Sequence, residues 1–271
     1  DGLALDPSVE VPRYASAVDI HCMPGGYHTE LVPDDVSAAA NYDAGIFATT
    51  GGMLGRYNDG GGQALAQWLK EEHPQFQPRR ILDIGCTIGH NCVPLAQAFP
   101  DAEVIAVDVA APMLRYGHAR ARALGVENIR FRQANGEDLG YPDGHFDLIM
   151  TSMFWHETSA RAMPRMLAEI HRMLAPGGLT AHLEQPQYHG MDPYEQFIRD
   201  WDTYNNNEPF WGVMHDYDLP EMMARAGFDP DAYFETRVRG VVDRSIFPEA
   251  GEDGEDYGRA VLWTMFGAWK A

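Results

Sequence analysis

The stretch ILDIGCTIG, residues 81–89, decides the fold of this chain. It joins an apolar run of strand length to a loop with glycine at positions 85 and 89, where a side chain would block a tight turn or the close approach of a ligand. A helix is predicted just beyond, so that its free N–H groups face whatever the loop binds. A plain strand-to-helix turn would have a similar sequence, and the loop alone therefore indicates only a ligand that resembles a nucleotide.

Apolar runs and helical stretches alternate downstream of this loop. Strands are predicted over five segments, residues 80–84, 103–108, 129–133, 146–151 and 179–184, and helices over 92–99, 112–124 and a stretch with apolar residues at 163, 167, 170 and 174. Pro112 suits the first turn of the second helix, Gly125 closes it, and Pro176-Gly177-Gly178 ends the third. Strands that alternate with helices predict a parallel sheet with helices on both faces.

The segments on either side of this region lack that regularity. Residues 1–62 contain one helical stretch, 36–49, and we expect an N-terminal arm or lid packed over the carboxyl edge of the sheet; a flexible extension is the alternative. Residues 187–218 are rich in aromatic residues and asparagine, which indicates a helical cap inserted into a core of residues 63–271. A helix over 219–226 and two β-rich stretches, 233–242 and 259–269 with an acidic loop between them, complete the chain.

The composition limits the classes of partner. The chain has 20 basic and 40 acidic residues and a formal charge of −20, which repels phosphate backbones and anionic lipid heads. We therefore expect neither nucleic acid nor a membrane as partner and favour neutral or cationic small molecules, although the acidity would equally serve solubility alone. Three cysteines do not make a disulfide framework, and no apolar run approaches the roughly 20 residues that span a bilayer, so a cytoplasmic location is expected. The chain begins at Asp1 without a methionine, so we expect the natural protein to begin further upstream; no pattern indicates an oligomeric state.

Two further polar positions follow predicted strands. Asp108 ends the second strand, 25 positions after Asp83, where an acidic residue accepts hydrogen bonds from both hydroxyls of an adenosine ribose. A surface aspartate that caps the next helix is the alternative. Residues 135–138, NGED, follow the third strand, where a polar side chain and exposed N–H groups would read an adenine edge, unless they form a simple Asx turn.

These segments together resemble the class I S-adenosylmethionine-dependent methyltransferases, especially the small-molecule group that includes the ubiquinone and menaquinone biosynthesis C-methyltransferases. The matching segments, which cover about residues 79–185 and 219–271, are 81–89, 104–108 with Met113, 135–147, 153–156, 174–178 and 226–228 with the two β-rich stretches. The resemblance implies an α/β fold: a doubly wound, mostly parallel, seven-stranded Rossmann-like sheet with an antiparallel C-terminal strand pair, to which the arm and the helical cap insertion are added.

The resemblance also implies the cofactor and its site. S-adenosyl-L-methionine is the expected cofactor and S-adenosyl-L-homocysteine the product. Thr87 stands where the family usually has a glycine, which narrows the loop, and Asn135 stands where the family often has aspartate. The residues expected at the cofactor are Asp83, Gly85, Cys86, Gly89, Asp108, Val109, Met113, Asn135, Gly136, Glu137, Thr151 and Ser152.

Methyl transfer from a sulfonium is an in-line displacement that depends mainly on alignment of the reactants. His156, which follows the fourth strand, is the candidate base if the nucleophile must lose a proton, which favours oxygen over carbon or nitrogen as acceptor; a packing or orienting histidine is the alternative. Arg56 is expected to meet the cofactor carboxylate. The spacing of His21, Cys22 and His28 matches no metal site, and we predict none. The residues expected to contact substrate are Tyr42, Arg56, Trp155, Glu184, Tyr204 and Trp211, with Trp201 as a further aromatic wall.

The sequence thus predicts an enzyme that methylates a small molecule. A nicotinamide-dependent oxidoreductase would share the sheet, but the Gly-x-Gly-x-x-Gly pattern that it needs does not follow the first strand. A protein that binds S-adenosylmethionine without catalysis is the other alternative.

Overall fold

The computed structural model describes residues 2–241 and 262–271. The strands in this part of the chain are β1 Leu3–Ala4, β2 Arg80–Ile84, β3 Glu103–Asp108, β4 Ile129–Gln133, β5 Phe146–Ser152, β6 Leu174–Glu184, β7 Tyr233–Arg239 and β8 Leu262–Trp269. The helices are α1 Arg13–Ser16, α2 Ser37–Thr49, α3 Gly60–Glu72, α4 Cys92–Ala98, α5 Ala111–Ala123, α6 Ala162–Met173, α7 Pro193–Asn205, α8 Trp211–Met214 and α9 Leu219–Ala226. The predicted acidic loop and the adjoining ends of the two β-rich stretches lie outside the described residues.

The strands form one sheet in the order β1-β4-β3-β2-β5-β6-β8-β7. Neighbours from β1 to β6 pair in parallel, and β8 pairs antiparallel with both β6 and β7. The predicted doubly wound sheet with an antiparallel C-terminal pair is confirmed. The chain runs outward from β2 to β4 and then crosses to β5, so that the strand order reverses between β2 and β5. Ligands of open α/β sheets bind at such a switch point.

The described residues contain eight strands, one more than the predicted seven. The additional strand, β1, comes from the N-terminal arm and pairs with Phe131 and Arg132 at the edge of the sheet. Two residues are too few to show the alternation of apolar and polar positions from which strands are predicted, so the sequence pattern could not reveal it.

The end of α6 also differs from the prediction. We expected Pro176-Gly177-Gly178 to end this helix, but it ends at Met173, and Leu174 already pairs with Phe146 of β5. Gly178 lies within β6 at a position that has no room for a side chain, because a Cβ there would lie within 2.9 Å of two backbone carbonyl oxygens. The glycines therefore accommodate a register shift between β5 and β6 rather than a helix cap.

The central strand β2 is buried on both faces of the sheet. Ile81 packs on one face with Leu65 of α3 and Leu95 of α4, and Leu82 packs on the other face with Leu167 of α6. Full burial of such a side chain contributes about 1.5–3 kcal/mol relative to exposure. Cover on both faces explains why the strand is a continuous apolar run and not an alternating one.

The arm and the cap add helices beside the carboxyl edge of the sheet. Helix α2 starts one residue after its predicted start and contacts α5, where the Tyr116 hydroxyl donates to Asp43 Oδ2 at 3.0 Å. Helix α3 begins at Gly60 and so runs across the expected arm boundary at residue 62. The division into arm, core and cap remains a prediction.

Gly62→Ala tests the packing of α3 on the start of α4. A Cβ on Gly62 would lie 2.3 Å from the carbonyl oxygen of Asn91 and 2.6 Å from its Cα, which are backbone atoms. We expect this substitution to lower the free energy of unfolding by about 1–3 kcal/mol, as for other overpacked sites. The control is Gly45→Ala in α2, where no heavy atom lies within 4 Å of the added Cβ. The gain in helix propensity there should raise stability by about 0.5–1 kcal/mol. Urea unfolding measures the free energy of unfolding of both variants. If the two substitutions changed it in the same direction, the close packing of Gly62 on Asn91 would be contradicted.

Candidate functional site

A cavity of about 1000 Å³ lies at the carboxyl edge of the sheet. Its floor comes from the ends of β2 to β6 and the loops that follow them, and its walls come from the N-terminal arm and the cap helices α7 and α8. The cavity therefore lies at the switch point of the sheet. Its character depends on which side chains these five strand ends, the arm and the cap bring together.

The loop after β2 has left-handed backbone at three positions. Gly85 has a φ of 74° and Gly89 a φ of 80°, as the predicted tight turn requires. A Cβ on Gly85 would lie 2.2 Å from the ring of Phe154, so the glycine lets this ring pack against the turn. Thr87 has a φ of 44°, which is rare for a β-branched residue and costs about 1–2 kcal/mol. The threonine thus occupies a conformation that suits the glycine usual in the resembling family.

The carboxylate of Asp108 holds this loop in place. Its Oδ2 accepts the N–H of Thr87 and its Oδ1 accepts the N–H of Ala110, both at 2.9 Å. Burial raises the pKa of the carboxyl to about 6, which leaves it ionised at neutral pH. Asp108 lines the cavity, and each of its oxygens keeps a lone pair for a ligand hydroxyl. The bond to Ala110 resembles the helix cap that was the alternative, but the same carboxylate also faces the cavity.

Half of the residues predicted at the cofactor line the cavity, and the other half do not. Those in the lining are Gly85, Asp108, Val109, Asn135, Gly136 and Ser152. Those outside it are Asp83, Cys86, Gly89, Met113, Glu137 and Thr151. The hydroxyl of Ser152 is buried without a hydrogen-bond partner, which makes it available to a ligand.

Several of the residues outside the lining are instead buried in the protein core. Asp83 is buried beside Cys92, and burial raises the pKa of its carboxyl to about 7. The hydroxyl of Thr151 is hydrogen-bonded to Nδ1 of His182 at 2.9 Å within the sheet. Met113 packs in a buried apolar cluster between α5 and the N-terminal arm. Successive side chains of a strand point to opposite faces of the sheet, so adjacency to the loops did not bring Asp83 and Thr151 to the cavity.

Asn135 forms the Asx turn that was the alternative to adenine recognition. Its side-chain Oδ1 accepts the N–H of Glu137 at 3.0 Å, and the Glu137 carboxylate accepts from Arg165 Nε at 2.6 Å. Asn135 nevertheless lines the cavity, and its amide NH₂ group is not used in the turn. The predicted use of an amide oxygen therefore competes with a bond that the oxygen already makes.

Three of the six predicted substrate residues lie outside the cavity lining. Tyr42, Glu184 and Trp211 line it. Trp155 is fully buried in the core, Tyr204 is 85% exposed, and the Arg56 guanidinium lies 5.3 Å from the ring of Tyr57 on the protein surface. Arg56, Trp155 and Tyr204 thus lie outside the cavity lining, and their contact with substrate stays a prediction.

The orientation of α7 explains the position of Tyr204. The helix turns polar residues toward the cavity, among them Glu195, Arg199 and Asp202. Trp201, like Tyr204, lies on the opposite side and is 58% exposed. Aromatic content indicated a wall, but the rotation of a helix about its axis is set by what it packs against and cannot be read from composition.

His156 is held between two carboxylates. Its Nδ1 lies 2.7 Å from Glu184 Oε1, and its Nε2 lies 3.6 Å from Glu208 Oε2. Burial opposes the charged ring, but the two carboxylates outweigh it and raise the pKa of His156 to about 9. The ring is therefore protonated at neutral pH and cannot accept a proton. This geometry favours the alternative, a histidine that orients its neighbours, and the role of His156 as general base stays a prediction.

His21, Tyr27 and Glu208 join the same cluster. From the sequence, His21 is considered only as a metal ligand, and Tyr27 and Glu208 are not singled out. His21 Nε2 lies 3.0 Å from Glu157 Oε1 and its Nδ1 3.2 Å from Glu208 Oε1. The Tyr27 hydroxyl donates to the same Glu157 oxygen at 2.6 Å. These contacts join the arm, the core and the cap. No local motif announces them, because the partners are more than 100 residues apart in the chain.

A second histidine–carboxylate pair lines the cavity beside the arm. His90 Nε2 lies 3.1 Å from Asp43 Oδ1, and its ring stacks on that of Tyr42 at 5.7 Å. Burial lowers the pKa of His90, so the ring is neutral at neutral pH. Among the described residues, no group of three or more His, Cys, Asp or Glu side chains has the arrangement of a metal site.

Comparison with known proteins agrees with this geometry. A methyltransferase domain model matches residues 81–178. The demethylmenaquinone methyltransferase of Symbiobacterium thermophilum is 32% identical over 164 residues, which are 59% of each chain. An uncharacterised methyltransferase of Synechocystis is 30% identical over 172 residues, which cover 62% of this chain and 76% of the relative. The chain belongs to the class I S-adenosylmethionine-dependent methyltransferases.

The fold of this methyltransferase is shared with solved structures. Phosphoethanolamine N-methyltransferase 2 of Haemonchus contortus in complex with S-adenosylmethionine superposes with a TM-score of 0.58 at 17% identity, over 85% of this chain and 58% of that one. The chain spans 59%, 48% and 46% of the length of three demethylmenaquinone methyltransferases that it matches. None of the helices in the described residues is both long and apolar enough to cross a membrane.

The protonation of His156 is open to direct measurement. We expect its ring to stay charged up to about pH 9, because Glu184 and Glu208 face its nitrogens. Since this pKa exceeds the ordinary value of about 6.5, the stabilising contribution is complete below pH 6.5 and is lost as the pH rises through 9. Ring resonances followed by NMR titration give the pKa, and Glu184→Gln should lower it.

The control for this titration is Glu103→Gln, which removes an exposed partner of Arg130 far from the cavity. It should leave the pKa of His156 unchanged. A wild-type His156 resonance that titrates near pH 6.5 would contradict the charged arrangement.

Proposed function

We propose that this methyltransferase moves the methyl group of S-adenosylmethionine to a small-molecule acceptor by in-line displacement. The observation that carries the proposal is the carboxylate of Asp108, which is fixed by two backbone N–H groups, ionised and open to an enclosed cavity. A ribose offers two hydroxyls to such a carboxylate. The cavity is large enough for a nucleoside cofactor together with a second small molecule.

The residues of the cavity fit this cofactor. A cradle without side chains exists at Gly85, where a Cβ would clash with Phe154. Asp108 and Val109 would hold the ribose and cover the adenine, and Asn135 with Gly136 would face the adenine edge. The unpartnered hydroxyl of Ser152 supports the sulfonium end of the site. When bound, the cofactor supplies a methyl group on a positively charged sulfur.

The contribution of the protein to such a reaction is alignment and exclusion of water. The arm and the cap enclose the cavity over the ends of β2 and β5, so that two bound molecules meet with little freedom to move. Effective molarities of about 10⁵ M or more are available from such alignment alone. No side chain needs to bond covalently to either reactant.

The acceptor that we propose does not rely on His156 for the loss of a proton. The sequence favours oxygen as the acceptor atom only because His156 could act as a base. A charged ring between two carboxylates removes this reason to favour oxygen. Oxygen, carbon and nitrogen acceptors then differ in charge at the moment of attack. An ionised oxygen or carbon nucleophile is an anion, whereas an amine nitrogen attacks as a neutral group and becomes positive.

The charge of the cavity favours neutral or cationic acceptors over anions. Among the described lining residues, seven carboxylates face two guanidinium groups and the charged rings of His21 and His156. An anion would meet net repulsion in a partly dehydrated space, where charges interact more strongly than in water. The carboxylates are Asp108, Glu157, Glu184, Asp192, Glu195, Asp202 and Glu208, and the guanidinium groups are Arg199 and Arg237.

Two other functions are distinguishable from this one. A nicotinamide-dependent oxidoreductase would bind a dinucleotide in preference to S-adenosylhomocysteine. A protein that binds S-adenosylmethionine without catalysis would bind S-adenosylhomocysteine but transfer no methyl group to any component of a metabolite extract. Incubation of the extract with labelled S-adenosylmethionine, read by mass spectrometry, separates the second case from an enzyme.

Asp108→Asn tests the cofactor site. The change keeps the size of the side chain and removes its charge, and we expect S-adenosylhomocysteine to bind about 10- to 100-fold more weakly, because hydrogen bonds to charged groups contribute about 1.5–3 kcal/mol. Titration calorimetry measures the affinity. The control, Asp101→Asn, changes an exposed aspartate in the turn before β3 and should have no effect. Equal affinity in Asp108→Asn and wild type would refute the assignment.

A further inference from the structure

Glu208 is a fully buried residue of the cavity wall, and its carboxylate lacks hydrogen bonds. It follows α7 in the turn that leads to α8, where its N–H donates to the carbonyl of Thr203 at 3.1 Å. Its side chain is fully shielded from solvent, it lines the cavity, and neither carboxylate oxygen accepts a hydrogen bond. A buried polar group without hydrogen bonds costs about 1–3 kcal/mol, and more when it is charged. Such a group in a cavity wall indicates a missing donor.

The neighbours of Glu208 face it with charged rings but form no well-aligned hydrogen bond to it. Nδ1 of His21 and Nε2 of His156 lie 3.2 and 3.6 Å from its two oxygens, and neither contact has hydrogen-bond geometry. The hydrogen bonds of the two imidazoles go to other carboxylates, that of His21 to Glu157 and that of His156 to Glu184. Glu208 therefore has an ion-pair contact with an imidazole on each side, while neither of its carboxylate oxygens accepts a hydrogen bond.

The cluster as a whole carries an unbalanced negative charge. Its members form a chain in the order Glu157, His21, Glu208, His156 and Glu184. Nearby carboxylates outweigh the effect of burial on both rings and raise the pKa of His21 to about 10 and that of His156 to about 9, so both are charged at neutral pH. Two positive rings and three carboxylates leave one negative charge, which a single cation would balance.

We propose that the methyl acceptor carries a protonated amino group and that Glu208 binds this group. The inference rests on the proposed function, since it names the class of molecule that the methyltransferase would accept. An ammonium has three N–H donors and no acceptor, which matches two open carboxylate oxygens. It also supplies the one positive charge that the chain of carboxylates and imidazoles lacks.

An aromatic side chain lies beside this group. The indole of Trp211, three residues after Glu208, lines the cavity, and its ring centroid lies 4.6 Å from that of His156. Its N–H is buried without a partner. A cation bound at Glu208 would therefore lie near an aromatic face, which attracts cations, and near an apolar surface that suits a hydrocarbon or aromatic body.

Binding of tryptamine and of tryptophol separates the charge from the rest of the ligand. The two probes share the indole body and differ in an ammonium against a hydroxyl at neutral pH. We expect the wild-type protein to bind tryptamine at least tenfold more tightly than tryptophol, and Glu208→Gln to lose this difference. Titration calorimetry is carried out with and without saturating S-adenosylhomocysteine, so that the preference is measured independently of the cofactor site.

The control variant is Asp200→Asn on the same cap. Asp200 accepts a hydrogen bond from Tyr188 at 2.7 Å, is exposed and does not line the cavity. It should keep the wild-type preference for tryptamine. Equal binding of the two probes to the wild type, binding of neither, or a preference that persists in Glu208→Gln would overturn the proposal.

The same titrations distinguish failure of this inference from failure of the proposed function. S-adenosylhomocysteine should bind Glu208→Gln as it binds the wild type. If S-adenosylhomocysteine does not bind the wild type, the proposed function fails, whatever the probes do. If Glu208 only joined the cap to the arm, Glu208→Gln would lower the midpoint of thermal unfolding and leave the preference between probes intact, which also overturns the inference.

Discussion

The carboxylate of Asp108 accepts hydrogen bonds from the N–H groups of Thr87 and Ala110. The bond from Thr87 joins the end of β3 to the loop after β2, and the bond from Ala110 holds the residue that precedes α5. One of these N–H groups belongs to a residue with left-handed backbone, which an unsupported threonine would leave. The bond from Thr87 therefore compensates the backbone strain at this position and fixes the loop against the end of β3. The floor of the cavity, and with it the position of any ligand on the sheet, depends on this arrangement.

The roof of the cavity depends on charges that are separated in sequence. His21 belongs to the arm, His156 and Glu184 to the core, and Glu208 to the cap, yet they lie in one buried chain. Removal of one member of a buried pair is expensive, at about 3–5 kcal/mol, because its partner stays behind without compensation. The arm and the cap are thus tied to the core by groups that cannot be exchanged singly. The same groups give the cavity its negative character, so enclosure and selectivity come from one set of side chains.

This arrangement suits the chemistry of methyl transfer. The displacement needs alignment more than acid or base catalysis. In the function that we propose, side chains in the acceptor part of the cavity are free to recognise the acceptor, and a charged His156 with its carboxylates would serve recognition better than proton transfer. With a neutral acceptor group, positive charge would move from sulfur to the acceptor, and the carboxylates that we propose lie around it would stabilise that charge.

The sequence by itself determined the strands β2 to β5, the loop between β2 and α4 and the acidic residue at the end of β3. Through the family resemblance it also indicated a doubly wound, mostly parallel sheet with an antiparallel C-terminal strand pair. These features are local: each depends on apolar periodicity or on a glycine within a few residues, and parallel strands bring their carboxyl ends to one edge. The two-residue strand β1, the burial of Trp155 and the outward face of α7 with Tyr204 were decided by packing. The partners of His156 were also decided only by the tertiary structure, because a side chain's protonation depends on charges that the chain brings together from distant segments. Position after a strand indicated a histidine near the reaction, but only the two facing carboxylates determined that it carries a proton.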